Sequence, residues 1–263
     1  MQRQTRLATF ALAAAVAGSA VAATAPKHIS FVTCPIVQDT DTVPCWMADY
    51  QGKRYYLGIQ QEQSSAFHPP WLSHQVLVEG VVSDEPSICG GTVLKPVKTS
   101  PLPEIDLNCN VMLPAEARYQ VPFAVRGPGP NPRKFEGVRG PRAETPPPVA
   151  PFKPQTFTAY YDFDTEWATL STRAMTEAMN YAKAINAKQV EVTGYRAVSK
   201  LSDGRDFAER PDMAKRRAER MGATLRDIGV PAQTIKVSWS EKALPGNGVD
   251  DDTRRKTTIV VKP

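Results

Sequence analysis

Between residues 119 and 155 the chain is crowded with proline and glycine. The run Arg126-Gly127-Pro128-Gly129-Pro130-Asn131-Pro132 and the triplet Pro146-Pro147-Pro148 lie inside it. Proline fixes φ and lacks an N–H, so neither a helix interior nor a central strand can cross such a stretch. The chain must therefore fold as two pieces, residues 27–118 and 156–263. The stretch between them reads as an extended spacer with polyproline character, able to hold the pieces apart. A docking motif for a partner is the sharper alternative to the plain spacer.

All four cysteines, Cys34, Cys45, Cys89 and Cys109, fall in the first piece. An even count in an exported chain points to two disulfides. Three pairings are open, and proximity in sequence favours Cys34–Cys45 with Cys89–Cys109. A metal site fits less well, because no C-x-x-C occurs and His28, His68 and His74 show no ligand spacing. The first piece is rich in β-branched and aromatic residues, with strands expected over 28–36, 45–49, 54–59, 75–82 and 92–97. Tyr50-Gln51-Gly52-Lys53 reads as a hairpin turn. The expected fold is an all-β small barrel or sandwich, with an OB-like barrel among the options. Trp46, Tyr50, Tyr55, Tyr56, Phe67 and Trp71 could stack on a ligand, but filling the core of a small β domain is the simpler use.

Export is expected from the first residues. Arg3 and Arg6 precede an apolar, Ala-rich run over 7–17, and Ala20-Val21-Ala22 offers a cleavage site. These are the parts of a signal peptide spanning residues 1–22. The run is shorter than the ~20 residues that span a bilayer, and no later segment is apolar for longer. Loss of Arg3 and Arg6 takes the net charge from +5 to +3. The densest basic cluster, Lys215-Arg216-Arg217 near Arg220, sits in a helical pattern, which argues against a nucleic-acid partner.

The second piece alternates at Phe157, Ala159, Tyr161 and Phe163, as a half-buried strand does. Met175, Ala178, Met179, Ala182 and Ile185 then follow helical spacing. Residues 189–196 read as a strand, and a polar loop runs to Arg210. Ala214, Ala218, Met221, Leu225 and Ile228 form a second amphipathic stripe, stopped by Gly229 and Pro231. Ile235, Val237 and Trp239 alternate again, and Ile259 and Val261 mark a last strand. The expected order is β-α-β-α-β-β, an α+β sandwich with helices on one face of a mixed sheet.

Several motifs lie along this frame. They are Tyr161-Asp162-Phe163-Asp164 through Leu170-Ser171, Gly194-Tyr195-Arg196-Ala197, Met213-Ala214-Lys215-Arg216-Arg217-Ala218 and Thr253-Arg254-Arg255. In this order they resemble the OmpA-like C-terminal domain, whose corresponding motifs are Gly-His-Thr-Asp, Leu-Ser-x-x-Arg-Ala and Asn-Arg-Arg. The resemblance covers most of residues 157–263. It implies non-covalent binding of peptidoglycan through the diaminopimelate of the stem peptide, with an Asp for the ammonium and an Arg for the carboxylate.

By that resemblance Arg217 takes the carboxylate-gripping position and Tyr195 and Arg196 line the pocket. Ala197 stands where the Asp belongs, Arg210 replaces an Asn, and Thr253 replaces the closing Asn. A hydrogen bond to a charged group is worth roughly 1.5–3 kcal/mol, so losing one weakens binding about tenfold to more than a hundredfold. Asp203 and Asp206, in a loop longer than the family pattern, are the acids expected to reach back and compensate. Alternatively, Arg196, Arg210 and Arg217 together could receive an anion. Outside the resemblance, Arg217 reads equally well as a solvated helix arginine.

Asp250-Asp251-Asp252 could hold Ca²⁺ but more often marks solvated surface. No nucleophile elbow or catalytic carboxylate pair is seen, and no metal or cofactor is expected. The leading reading is a non-enzymatic periplasmic envelope protein, associated with the outer membrane, that faces peptidoglycan with an altered pocket. The alternative is a subunit of an envelope assembly, oligomeric within it, whose OmpA-like part docks protein and not cell wall.

Overall fold

The structure, a computed structural model, describes residues 27–59, 69–119, 121, 148–168 and 171–263. The expected signal peptide, Phe67, His68 and most of the proline-rich stretch lie outside the described residues. Among the described residues no helix is long and apolar enough to cross a membrane.

The first piece is all-β. Its strands are β1 (His28–Thr33), β2 (Pro35–Gln38), β3 (Cys45–Tyr50), β4 (Lys53–Ile59), β5 (His74–Val82), β6 (Thr92–Ile105) and β7 (Val111–Leu113). They form one sheet in the order β1-β5-β6-β4-β3-β2-β7. Because β1 and β2 are a single run broken only at Cys34, the chain enters the sheet at one end and re-enters it near the other. The sheet therefore curls around a core of Phe31, Val76, Val78, Leu57, Trp46 and Leu94. The β3–β4 turn forms where expected, with Gln51 and Gly52 both at positive φ, the geometry a two-residue hairpin needs.

The strand expected over 92–97 runs on to Ile105. From Leu94 onward β6 pairs only with β5, because its ladder with β4 is confined to Thr92 and Val93. The free edge accommodates Pro96, Pro101 and Pro103. Trp46 and Tyr55 are core residues, whereas Trp71 is half exposed.

The disulfides join Cys34 to Cys109 and Cys45 to Cys89, not the near neighbours. Register explains the difference. Cys45 pairs with Gln38 in the β2–β3 ladder, which leaves Cys34 four residues further along the strand. That is about 13 Å at the rise of a strand, beyond the ~7 Å that a disulfide spans between Cα atoms. The bridges close separations of 75 and 44 residues, worth about 4 kcal/mol each in a loop-entropy model.

The second piece holds β8 (Gln155–Tyr160), α1 (Thr172–Ala184), β9 (Gln189–Gly194), a hairpin of β10 (Val198–Lys200) and β11 (Asp206–Ala208), α2 (Met213–Asp227), β12 (Ile235–Trp239) and β13 (Lys256–Lys262). Its main sheet has the order β12-β9-β13-β8, with β12 parallel to β9 and β13 antiparallel to both neighbours. Apart from the inserted hairpin, this is the expected β-α-β-α-β-β order. The apolar stripes of α1 and α2 share one core with Val190, Val192, Ile259 and Val261.

The two pieces touch. Phe163 and Leu201 pack with Leu77 and Leu102 of the first sheet. The Phe163 N–H donates to Ser100 Oγ at 3.0 Å. Ser30 and Ser202 bond reciprocally, Ser30 N to Ser202 Oγ at 2.9 Å and Ser202 N to Ser30 O at 2.7 Å.

Candidate functional site

The site builds from Gly194, at the end of β9. A Cβ there would lie 2.0 Å from the Ala214 carbonyl oxygen and 3.0 Å from the Ala218 Cβ. Only glycine lets α2 ride this close to the strand. That approach brings Arg217, on the facing side of α2, down onto the chain leaving β9.

Arg217 is fully buried and is not a solvated helix arginine. Its guanidinium lies 4.7 Å from the Tyr161 ring centroid. Nε donates to Thr165 O at 2.8 Å, Nη1 to Tyr195 O at 3.0 Å, and Nη2 to Asp162 O at 3.1 Å. Nη1 and Nη2 each donate once more, to the two oxygens of Glu209. A guanidinium has five N–H donors, and all five are taken.

Glu209 is equally enclosed. Besides the fork from Arg217, its carboxylate accepts the N–H of Asp164 at 2.9 Å and of Ala197 at 2.8 Å. Ala197 in turn accepts the Glu209 N–H at 3.1 Å. Two backbone donors and a bidentate arginine are what a carboxylate receptor requires, and here the carboxylate belongs to the same chain. An entering ligand would find no free donor on Arg217, and the carboxylate beside Ala197, that of Glu209, is already engaged by Arg217 and two backbone N–H groups.

Neither aspartate expected to reach back does so. Asp203 pairs with Arg205 and Asp206 with Lys200, both at 2.8 Å and both near solvent. Arg196 donates to the Glu209 carbonyl at 3.2 Å. Arg210 is paired with Asp164 at 3.0 Å. Burial pushes the Asp164 carboxyl upward, and the Arg210 N–H and charge oppose the shift. Tyr195 contributes its carbonyl to Arg217. Thr253 is exposed and donates to the Asp250 carbonyl at 2.8 Å. Arg196 and Arg217 thus both turn onto Glu209 and Arg210 onto Asp164, while the Arg196 Nε is buried without a hydrogen-bond partner.

Sequence reasoning passed over Glu209. Strand alternation could have found it: Asp206 and Ala208 of β11 are exposed, Phe207 is half-buried and Glu209 buried. A second pair was also unforeseen. Arg255 is fully buried, donates to Ser199 Oγ at 2.9 Å and forks onto Glu79 of β5, with one arm at 3.1 Å. Burial works against its charge, but the charge and hydrogen bond of Glu79, together with the charges of Glu209 and Asp252, outweigh that and hold the pKa above the ordinary arginine value.

Asp251 is used internally, its carboxylate accepting the N–H groups of Lys200, Asn247 and Gly248. Among the described residues, the one cluster with metal-ligand spacing is Cys34, Asp106 and Cys109. Its two cysteines are joined in a disulfide and offer no thiolate.

No family model matches the sequence, and no curated protein matches it. Solved structures do. The OmpA-like domain of FopA1 from Francisella tularensis subsp. tularensis SCHU S4 is 14% identical over 42% of this chain and 73% of its own, with a TM-score of 0.32. A putative MotB-like protein from Desulfovibrio vulgaris is 12% identical over 41% of this chain and 75% of its own, with a TM-score of 0.33.

Proposed function

We propose that the chain is an exported, non-enzymatic protein of the bacterial cell envelope. In this reading its first piece is an OB-like barrel and its second an OmpA-like domain that docks protein and does not hold the cell wall. The reading of the second piece rests on the motif series and on the β-α-β-α-β-β order. That of the first rests on the strand run β1–β2, which serves both ends of one curled sheet, and on the parallel β4–β6 contact. Export to the periplasm rests on the leader-like residues 1–22 and on the two disulfides, which persist in oxidising compartments.

One observation carries the choice between wall and protein: Glu209 fills the carboxylate receptor at Arg217 and uses its last two donors. Binding a stem peptide in the family's manner would require this buried ion pair to break, at a cost of several kcal/mol before any contact forms. Protein docking needs no such opening. Exposed Trp71, Ile105, Leu107 and Met112 on the barrel offer apolar surface for it.

Sedimentation with purified sacculi tests the reading. The mature protein should stay in the supernatant and co-purify from envelope extracts as a stable complex. Sedimentation with the wall that disappears in Arg217→Ala would show that the pocket still holds peptidoglycan, and the proposal would fail.

A further inference from the structure

We propose that the cleft between the two pieces is a binding site for a sugar-sized anion bearing phosphate or carboxylate. The cleft measures about 620 Å³, within the ~300–1,000 Å³ of small-molecule sites. Lys27 and Lys53 line it from the barrel, and Lys200, Ser202 and Asn247 from the second piece. No carboxylate is among the lining residues. This site is separate from the pocket at Arg217 and does not depend on how that pocket is read.

Two hydroxyls of the lining have an acceptor side already used. Tyr50, also in the wall, accepts from Gln51 Nε2 at 3.2 Å, which leaves its O–H to give. Asn247 is not a free donor, because its side chain accepts the N–H groups of Val249 and Asp250 at 2.9 and 3.3 Å and its amide bonds the Asp250 carboxylate. Ser202 Oγ accepts from Ser30 N, which leaves its O–H. Among the described residues neither Lys27 nor Lys53 has an ion-pair partner. Lys200 is held only by Asp206, in a solvent-exposed pair worth about 0–1 kcal/mol, which an incoming anion can outbid.

The walls are also set in advance. Lys27 is fixed through its carbonyl, which accepts Val82 N at 2.9 Å. The Tyr50 ring stacks on Phe31 with centroids 4.5 Å apart. The reciprocal Ser30–Ser202 bonds pin one side of the cleft to the other. A preformed cleft lined by three lysines and two hydroxyl donors recognises an anion with little ordering cost. Its size calls for more than a bare ion.

Calorimetric titration of the mature chain with glucose 6-phosphate tests this, with glucuronate and inorganic phosphate in parallel. One saturable site is expected for at least one sugar anion, tighter than for inorganic phosphate and weakening as salt rises. The tighter of the two sugar anions identifies the acidic group. Lys27→Gln/Lys53→Gln should lose at least tenfold, and both residues are exposed, so the fold should survive. Lys236→Gln, which removes one positive charge at an exposed position on β12, should bind as the parent does. The proposal is overturned if neither sugar anion gives saturable heat. It is equally overturned if the double variant binds like the parent, or if Lys236→Gln loses as much.

Discussion

Arg217 and Arg255 are both buried guanidiniums gripped by a glutamate, but they do different work in different places. Arg217 meets Glu209 eight residues away, inside one piece, and closes a pocket. Arg255 meets Glu79 across 176 residues, and joins the second sheet to the first. In the first pair both side chains are fully enclosed, whereas the Glu79 side chain keeps 13% of its surface in solvent. The same chemistry therefore serves as a plug in one region and as a clasp in the other. The plug should be the costlier to disturb.

Changes to each pair sharpen that contrast. Glu209→Ala leaves an enclosed guanidinium without its counter-charge and should cost about 3–5 kcal/mol, measured by thermal or urea unfolding. Added acetate should recover part of the loss in this variant and none in the parent, since only the variant has an empty receptor to bind it. Glu79→Ala should cost less, about 2–3 kcal/mol, because water can reach the vacated side. Its unfolding should also separate into two transitions, where the parent shows one. Gly194→Ala should cost about 1–3 kcal/mol by lifting α2 from β9, and its far-ultraviolet spectrum should stay near that of the parent. Lys98→Ala removes the partly exposed contact with Asp252 at the same junction and should cost under about 1 kcal/mol. A larger loss there would mean that the clasp extends well beyond Arg255.

Much of the frame was readable in the chain. Periodicity located α2 and the β12 strand, and the Gln51-Gly52 turn declared itself through backbone freedom. What stayed hidden depends on register and on distant contacts. The cysteine pairing follows from which residue faces Cys45 across a ladder, and sequence spacing does not encode that. The length of β6 follows from the lack of a second neighbour beyond Val93. For the site, the resemblance drew attention to Arg217, but nothing in it pointed to Glu209, whose carboxylate that side chain meets. Asp203 and Asp206 looked better placed, yet one lies in the tight turn of the β10–β11 hairpin and the other on its outward side. Glu79 was beyond reach, because nothing local to position 255 points to a strand in the other piece.

The crosslinks have a consequence for how the molecule matures. Glu79 lies on β5, within the span that Cys34–Cys109 encloses, and both bridges belong to the first piece alone. A chain kept reduced would present Arg255 with a loosened partner, so the cysteine-free half would inherit an oxidant requirement that it does not have by itself. Thiol status in one half would then govern the completeness of the other, and delivery to an oxidising compartment would act as the checkpoint for assembling the whole molecule.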